Sequence, residues 1–224
     1  MIFRTLFLFL CFSAYSFSLF SQTPGFTGKR FILSAEAYAF PSVRFIFTAD
    51  RNFIFHKHLG ISTEYVLNRR FSAGVVATRL NAPLEYDYQN RKGNALLTST
   101  NFGVHLKIYT FLRRGNIAPV GPYQKLEIQY LRYHMTDLDR AFYSDGREAL
   151  GALRDWVVSF TIGTQHVLPP RLTYKWGIQG GWILNVGQVF PFSEADKYLS
   201  NISTSRLRDH FAFNVTVGIG YLLF

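Results

Sequence analysis

The chain has 224 residues, a formal net charge of +10 and a mean hydropathy of +0.06. Charged residues make up 17% and aromatic residues another 17%, too little charge and too many rings for an ordinary soluble domain. The single cysteine, Cys11, lies in the first apolar run, so the chain beyond it has no thiol for disulfide, metal or nucleophilic chemistry.

The N-terminal stretch MIFRTLFLFLCFSAYSFSLFSQ has one early basic residue, Arg4, then an apolar run, then small and polar residues. That order is the pattern of a secretory signal peptide over residues 1–21, with cleavage after Ser21, leaving residues 22–224 as one domain. Leu10 stands before Cys11 where a lipid-anchoring signal requires a small residue, which excludes a lipid anchor. Past the signal there is no apolar run long enough for a spanning helix. A membrane could then be crossed only by a closed barrel that satisfies every backbone group.

Alternation with a period of two predicts the strands. Strand one is Arg30–Ala39, with Phe31 and Leu33 outward and Ser34, Glu36 and Tyr38 inward. Strand two, Phe53–Leu67, and strand three, Phe71–Leu80, flank the tight turn Asn68–Arg70 and form an antiparallel hairpin. Residues Asn81–Leu97 read as a charged loop. Strand four is Thr98–Leu112, with Phe102, Val104, Leu106 and Ile108 outward and His105, Lys107 and Tyr109 inward. The turn Arg113–Gly121 leads to strand five, Pro122–His134, and Met135–Leu153 reads as a polar loop. Strand six, Arg154–Leu168, and strand seven, Leu172–Val186, are joined by Pro169–Arg171, and Gly187–Arg208 reads as a last long loop. The stretch Asp209–Phe224 closes the series: Phe211, Phe213, Val215, Val217, Ile219, Tyr221 and Leu223 share one face, and Ala212, Asn214, Thr216, Gly218 and Gly220 the other.

An apolar outer face with a small or polar inner face is the pattern of a membrane barrel strand. Connections after strands one, three, five and seven read as long, and those after two, four and six as short. This predicts an all-β fold: an eight-stranded antiparallel up-and-down transmembrane β-barrel in the outer membrane of a Gram-negative envelope, both termini periplasmic. The stretches STEYVLNRRFSAG (Ser62–Gly74), LRRGNIAPVGPYQKLEIQYLRY (Leu112–Tyr133) and GIGYLLF (Gly218–Phe224) resemble the small eight-stranded outer-membrane β-barrel family common in Bacteroidetes, akin to the OmpA membrane domain, OmpX and OmpW. Thr216, Gly218, Tyr221 and Leu223, with the terminal aromatic Phe224, resemble the C-terminal signal read by the outer-membrane assembly machinery. Phe224 stands one step out of the usual register. The resemblance implies a fold and a location but no single activity.

Glu36, Glu64 and Glu127, with Lys107, Lys125 and Lys175, are expected to face the lumen. An isolated buried charge costs several kcal/mol, so opposite signs should pair, notably between strands four and five, and plug the bore. The alternatives are a narrow diffusion channel for small or apolar solutes and a lipid A-modifying enzyme. For the enzyme, His134 with Asp137, or His210 with Ser203 or Ser205, supply the residue types of a rim triad. His56 and His58 on one strand do not make a metal site. No catalytic residue, metal ligand or cofactor is assigned. Arg91, Lys92, Arg140, Arg147, Arg206 and Arg208 suit lipopolysaccharide phosphates. Outer-membrane lipids are the expected surroundings of a monomer, and nucleic acid is not an expected partner.

Overall fold

The protein is described by a computed structural model that covers residues 30–41, 55–68, 70–88, 91–110, 120–137, 149–168, 171–184 and 194–223. Among these residues are eight strands: β1 (Phe31–Pro41), β2 (Phe55–Val66), β3 (Phe71–Tyr88), β4 (Arg91–Tyr109), β5 (Gly121–Asp137), β6 (Ala149–Leu168), β7 (Leu172–Leu184) and β8 (Asn214–Leu222). They pair antiparallel in sequence order, and β8 pairs with β1, so the sheet closes into a barrel. Within the closed part each strand is paired on both sides, which leaves no edge there to template another chain.

The pleat sorts the residues. Leu59, Ile61, Phe102, Val104, Leu126, Trp156, Ile162, Trp182 and Ile219 lie exposed on the outside, while Ser62, Glu64, Asn101, Lys107, Glu127, Thr161 and Thr216 are buried inside. Strand count and closure agree with the sequence reading, and so does the facing of the described strand residues, except at the start of the last strand. The pairing is staggered. Val66, Ser72, Lys107, Lys125, Thr161, Gln179 and Asn214 are successive partners around the wall, and such a row climbs by about ten residues per circuit, a stagger that goes with tilted strands. Residues far apart in strand order therefore meet across the bore.

Three expectations are corrected. Residues 81–97 are not a loop: β3 has 18 residues and β4 has 19, and their pairing runs on to Tyr88 and Arg91. Likewise β5 runs on to Asp137 and β6 starts at Ala149, which takes up the two ends of 135–153. Between β3 and β4 the long connection is thus largely strand overhang. Residues 187–208 are not simply loop either. An α-helix, α1 (Glu194–Ala212), precedes β8. Its sequence has no Gly or Pro, places Glu194 and Asp196 in the first turn and Arg208 and His210 near the end, and so suits the helix dipole. Phe211 accordingly belongs to the helix and is buried, instead of starting the outward row of β8. Residues 1–21, most of Arg113–Gly121, Pro169, Pro170 and Phe224 lie outside the described residues.

Candidate functional site: the barrel lumen

The bore is filled in three layers. At the end where β1 starts and β8 finishes, Ile32, Val66, Val120, Val167 and Leu222 form a small apolar cluster. At the other end, inward-facing Leu80, Ala82, Ala95, Leu97, Leu131, Tyr133, Met135, Leu153 and Val157 form a larger one with Leu207 and Phe211 of α1, against which Tyr198 and Ile202 also pack. Between the two lies a polar layer.

Glu64 is one centre of that layer. Lys107 Nζ is ion-paired to its Oε2, while Ser72 and Tyr109 hydroxyls donate to Oε1 at 2.6 and 2.8 Å. Lys107 also donates to Gln165 Oε1 at 2.9 Å and sits 4.6 Å from the centroid of the Tyr123 ring. Glu36 is the second centre. Lys175 donates to Oε1 at 2.5 Å, Tyr38 donates to Oε2 at 2.6 Å, and Ser62 donates to Oε1. Glu127 is the third. It accepts from Lys125 at 2.8 Å, from Gln129, and from Gln179 at 3.5 Å. Lys125 lies 3.8 Å from Glu36 as well and so ties the second and third centres together. Lys107 and Glu64 are each about 1% exposed, and three lysines balance three glutamates. Charge neutrality and multiple donors per carboxylate are what make buried ions tolerable.

The pairing differs from expectation in one respect. Lys107 and Lys125 are direct partners on neighbouring strands β4 and β5, so no Glu–Lys contact joins those strands there. Lys107 instead reaches β2 and Lys175 reaches β1, each skipping a strand, whereas Lys125 meets Glu127 two residues along its own strand.

Small residues seat the long ones. A Cβ on Gly218 would lie 2.7 Å from Lys175 Cε, and one on Gly163 would lie 2.7 Å from Tyr123 Cζ. One small cavity among the described residues is lined by Glu36, Lys107, Tyr123, Lys125, Lys175 and Thr216, with room for about one water.

The remaining candidates are placed as follows. His58 is buried and stacked on Tyr38, with ring centroids 4.1 Å apart. His134 is exposed on the outer face of β5, whereas Ser203 of α1 is buried and donates to Met135 Sδ at 3.4 Å. The two therefore lie on opposite sides of the wall. The side chains of His56, Asp137 and His210, and of Arg91, Lys92, Arg140, Arg147 and Arg206, are outside the described residues, while Arg208 is exposed on α1. Thr216 faces inward, its hydroxyl 3.4 Å from the Gly177 carbonyl oxygen, and Tyr221 and Leu223 face outward. Sequence reasoning missed the apolar layer and α1. The recurrence of Tyr198, Ile202, Leu207 and Phe211 at roughly helical spacing was the available signal.

No protein-family model matches the chain, and no curated protein matches it. Among solved structures it is similar to the outer membrane protein OprG from Pseudomonas aeruginosa, at 14% identity over 89% of this chain and 98% of that one, with a TM-score of 0.51. It is also similar to Neisserial surface protein A, NspA (12% identity, 86% and 97% covered, TM-score 0.46), and to the N-terminal β-barrel domain of Pseudomonas aeruginosa OprF (13%, 86% and 97%, 0.39). At 14% identity the likeness to OprG is one of fold: the chain is an eight-stranded closed antiparallel β-barrel.

Proposed function

We propose that this chain is an integral outer-membrane barrel with a closed bore, acting in envelope structure or through its external segments and not by passing solutes. The observation that carries this reading is the layered filling of the lumen, in which a charge-balanced network is bounded on both sides by hydrocarbon. The apolar exterior is its counterpart: exposed side chains such as Leu59, Phe102, Ile162, Trp182 and Ile219 form a surface too large and apolar for water. In this reading residues 1–21 are a cleaved signal, β1 starts and β8 ends at the periplasmic face, and α1 lies at the external mouth.

The test of location is fractionation combined with gel mobility. The protein is expected with the outer membrane, and an unboiled sample should migrate differently from a boiled one; recovery in the soluble fraction or identical migration would contradict the proposal. The assembly machinery is a proposed partner through the C-terminal residues. Tyr221→Ala with deletion of Leu223 and Phe224 should lower assembled protein several-fold more than Phe213→Ala, which removes outward aromatic surface alone. Equal losses would remove that role. A lipid A-modifying activity is less well supported: His134 is exposed on the outer wall and Ser203 is buried against Met135, while the side chains of their candidate partners Asp137 and His210 lie outside the described residues. Unchanged lipid A masses in deletion and overexpression strains are the expected result.

A further inference from the structure

On β3–β6 the apolar band of the outer wall is bounded by two rows of direct strand partners. Its upper edge is Ala77, Phe102, Tyr130 and Trp156, with the last two rings in edge contact at 5.3 Å. The next outward residues, Arg79, Thr100 and Arg132, are polar and exposed. Its lower edge is Phe71, Ile108, Gln124 and Ile162, again successive partners. Below that row come exposed Thr110 after β4 and, on the outer face of β6, Thr164 and His166, whose polar atoms lie 3.3 Å apart.

Such rows are not level. From Ile32 one row passes through Glu64, Gly74, His105, Glu127 and Ser159 to Gly181 of β7. In the other direction Ile32 pairs with Leu222, whose amide donates to the carbonyl of Arg171, just before β7. The two arrivals lie about ten residues apart along one strand, so each strand-to-strand step lifts a row by about 3 Å along the barrel axis. Both edges therefore rise by about 10 Å between β3 and β6, toward the end that holds α1. In an upright barrel Trp156 would stand level with exposed Asn81, outside the band on β3, and Thr164 would stand level with Ala73, inside it. The two edges shift in the same sense. A thinned bilayer would bring them together, and a separate polar patch would move the lower edge alone. The rest of the wall completes the slope: β7 keeps Trp182 and Leu184 exposed at the upper side, and β2 keeps Tyr65 and Leu67 exposed at the lower. A rigid spanning body whose apolar surface does not match an upright bilayer accommodates by tilting.

We infer that the lipid-contacting surface is an oblique belt and that the barrel leans in the bilayer toward its β5–β6 wall, by on the order of 20–30° for an eight-stranded wall. The inference rests on the outer-membrane placement proposed above and deepens it by giving the barrel an attitude. The β5–β6 wall sinks toward the periplasm and the β1–β2 wall rises. Gln124, Thr164 and His166 then emerge among the inner headgroups, and the outward Arg132 and His134 of the overhanging sheet are carried down toward the outer ones.

The experiment measures depth with nitroxide labels in vesicles of phosphatidylethanolamine and phosphatidylglycerol, from the ratio of collisions with oxygen to collisions with a water-soluble nickel chelate. Single cysteines are placed in the full chain carrying Cys11→Ser, which removes its one native thiol. Leu59→Cys on β2 and Val158→Cys on β6 stand on opposite walls, Val158 higher along the axis by about 3 Å. An upright barrel puts the Val158 label nearer the membrane surface. The leaning barrel reverses the order, with the Leu59 label the shallower by roughly 7 Å. Tyr65→Cys and Thr164→Cys repeat the comparison at the lower edge, where the Thr164 label should be the shallower. The upright order in either pair would overturn the lean. Gln124→Leu with Thr164→Leu and His166→Leu extends the apolar wall downward on β5–β6 and should at least halve the difference between the Leu59 and Val158 labels; an unchanged difference would also overturn it. If a variant of the upper pair is not heat-modifiable, Ile61→Cys and Phe160→Cys replace that pair, with the same reversal expected. Labels that all meet the nickel chelate as freely as in water would sink the membrane placement itself, whereas buried labels in the upright order sink only the lean.

Discussion

Between Ser72 and Gln179 the bore is filled by charged and polar side chains that hydrogen-bond one another, whereas between Leu80 and Phe211 it is filled mainly by hydrocarbon, with the buried carboxylate of Asp155 accepting from Tyr133 at 2.7 Å. The same strands build both halves, and their outer faces change in the opposite sense. Alongside the polar layer the outside carries Val75, Val104, Leu106 and Ile128; alongside the apolar layer it carries Arg79, Asn81, Thr100, Arg132 and His134. The wall inverts its sidedness at one row, reading as a membrane barrel below it and as a soluble protein above. The pleat stays in register throughout, and only the solvent on each face changes. The two halves should therefore respond differently to mutation: the lower one to unpaired charge, the upper one to lost volume.

The largest expected effect breaks the lower half. Lys107→Met leaves Glu64 buried among Ser72 and Tyr109 without its cation, and such a half-broken pair costs about 3–5 kcal/mol. Adding Glu64→Gln removes the uncompensated charge and should recover most of the loss. The folded-to-unfolded gel transition across a urea series measures both, and a double variant no better than the single one would show that pairing does not govern this half. Next comes the upper half, where Phe211→Ala should cost about 3 kcal/mol through the hydrocarbon and the cavity it leaves. This loss should appear first as protease access to α1 while the barrel stays heat-modifiable, because α1 closes the mouth without joining the sheet. Simultaneous loss of both signals would mean that the halves are not separable. A smaller effect, about 1–3 kcal/mol, is expected for Gly218→Val, whose branched side chain would displace Lys175 from Glu36. Lys175→Met in the Gly218→Val background should then cost little more. Additive costs would place the Gly218 effect elsewhere.

The lower half was legible in the sequence because its pattern has one meaning. Leu106, Lys107, Ile108 and Tyr109 alternate apolar and polar, and the structure faces them accordingly. The upper half alternates too, but with polarity reversed: Asn81 and Pro83 point out while Leu80 and Ala82 point in. A reading that requires the inner face to be polar mistakes this for loop, and Asn, Pro and Gly reinforce the mistake. Helix α1 was obscured by its polar composition, since only one stripe of it meets the core. The ion-pair partners were not legible either. Lys107 finds Glu64 because the stagger of the barrel brings β4 and β2 together across the bore, a consequence of closure that neighbour order along the chain does not carry.

The closed bore is the central claim, and planar-bilayer recording of the purified full-length protein tests it most directly. The layered filling predicts no steady conductance from wild type, and none from Phe211→Ala, since the polar layer and the cluster of Ile32, Val66, Val120, Val167 and Leu222 would still block the path. Steady, reproducible wild-type conductance would contradict the account.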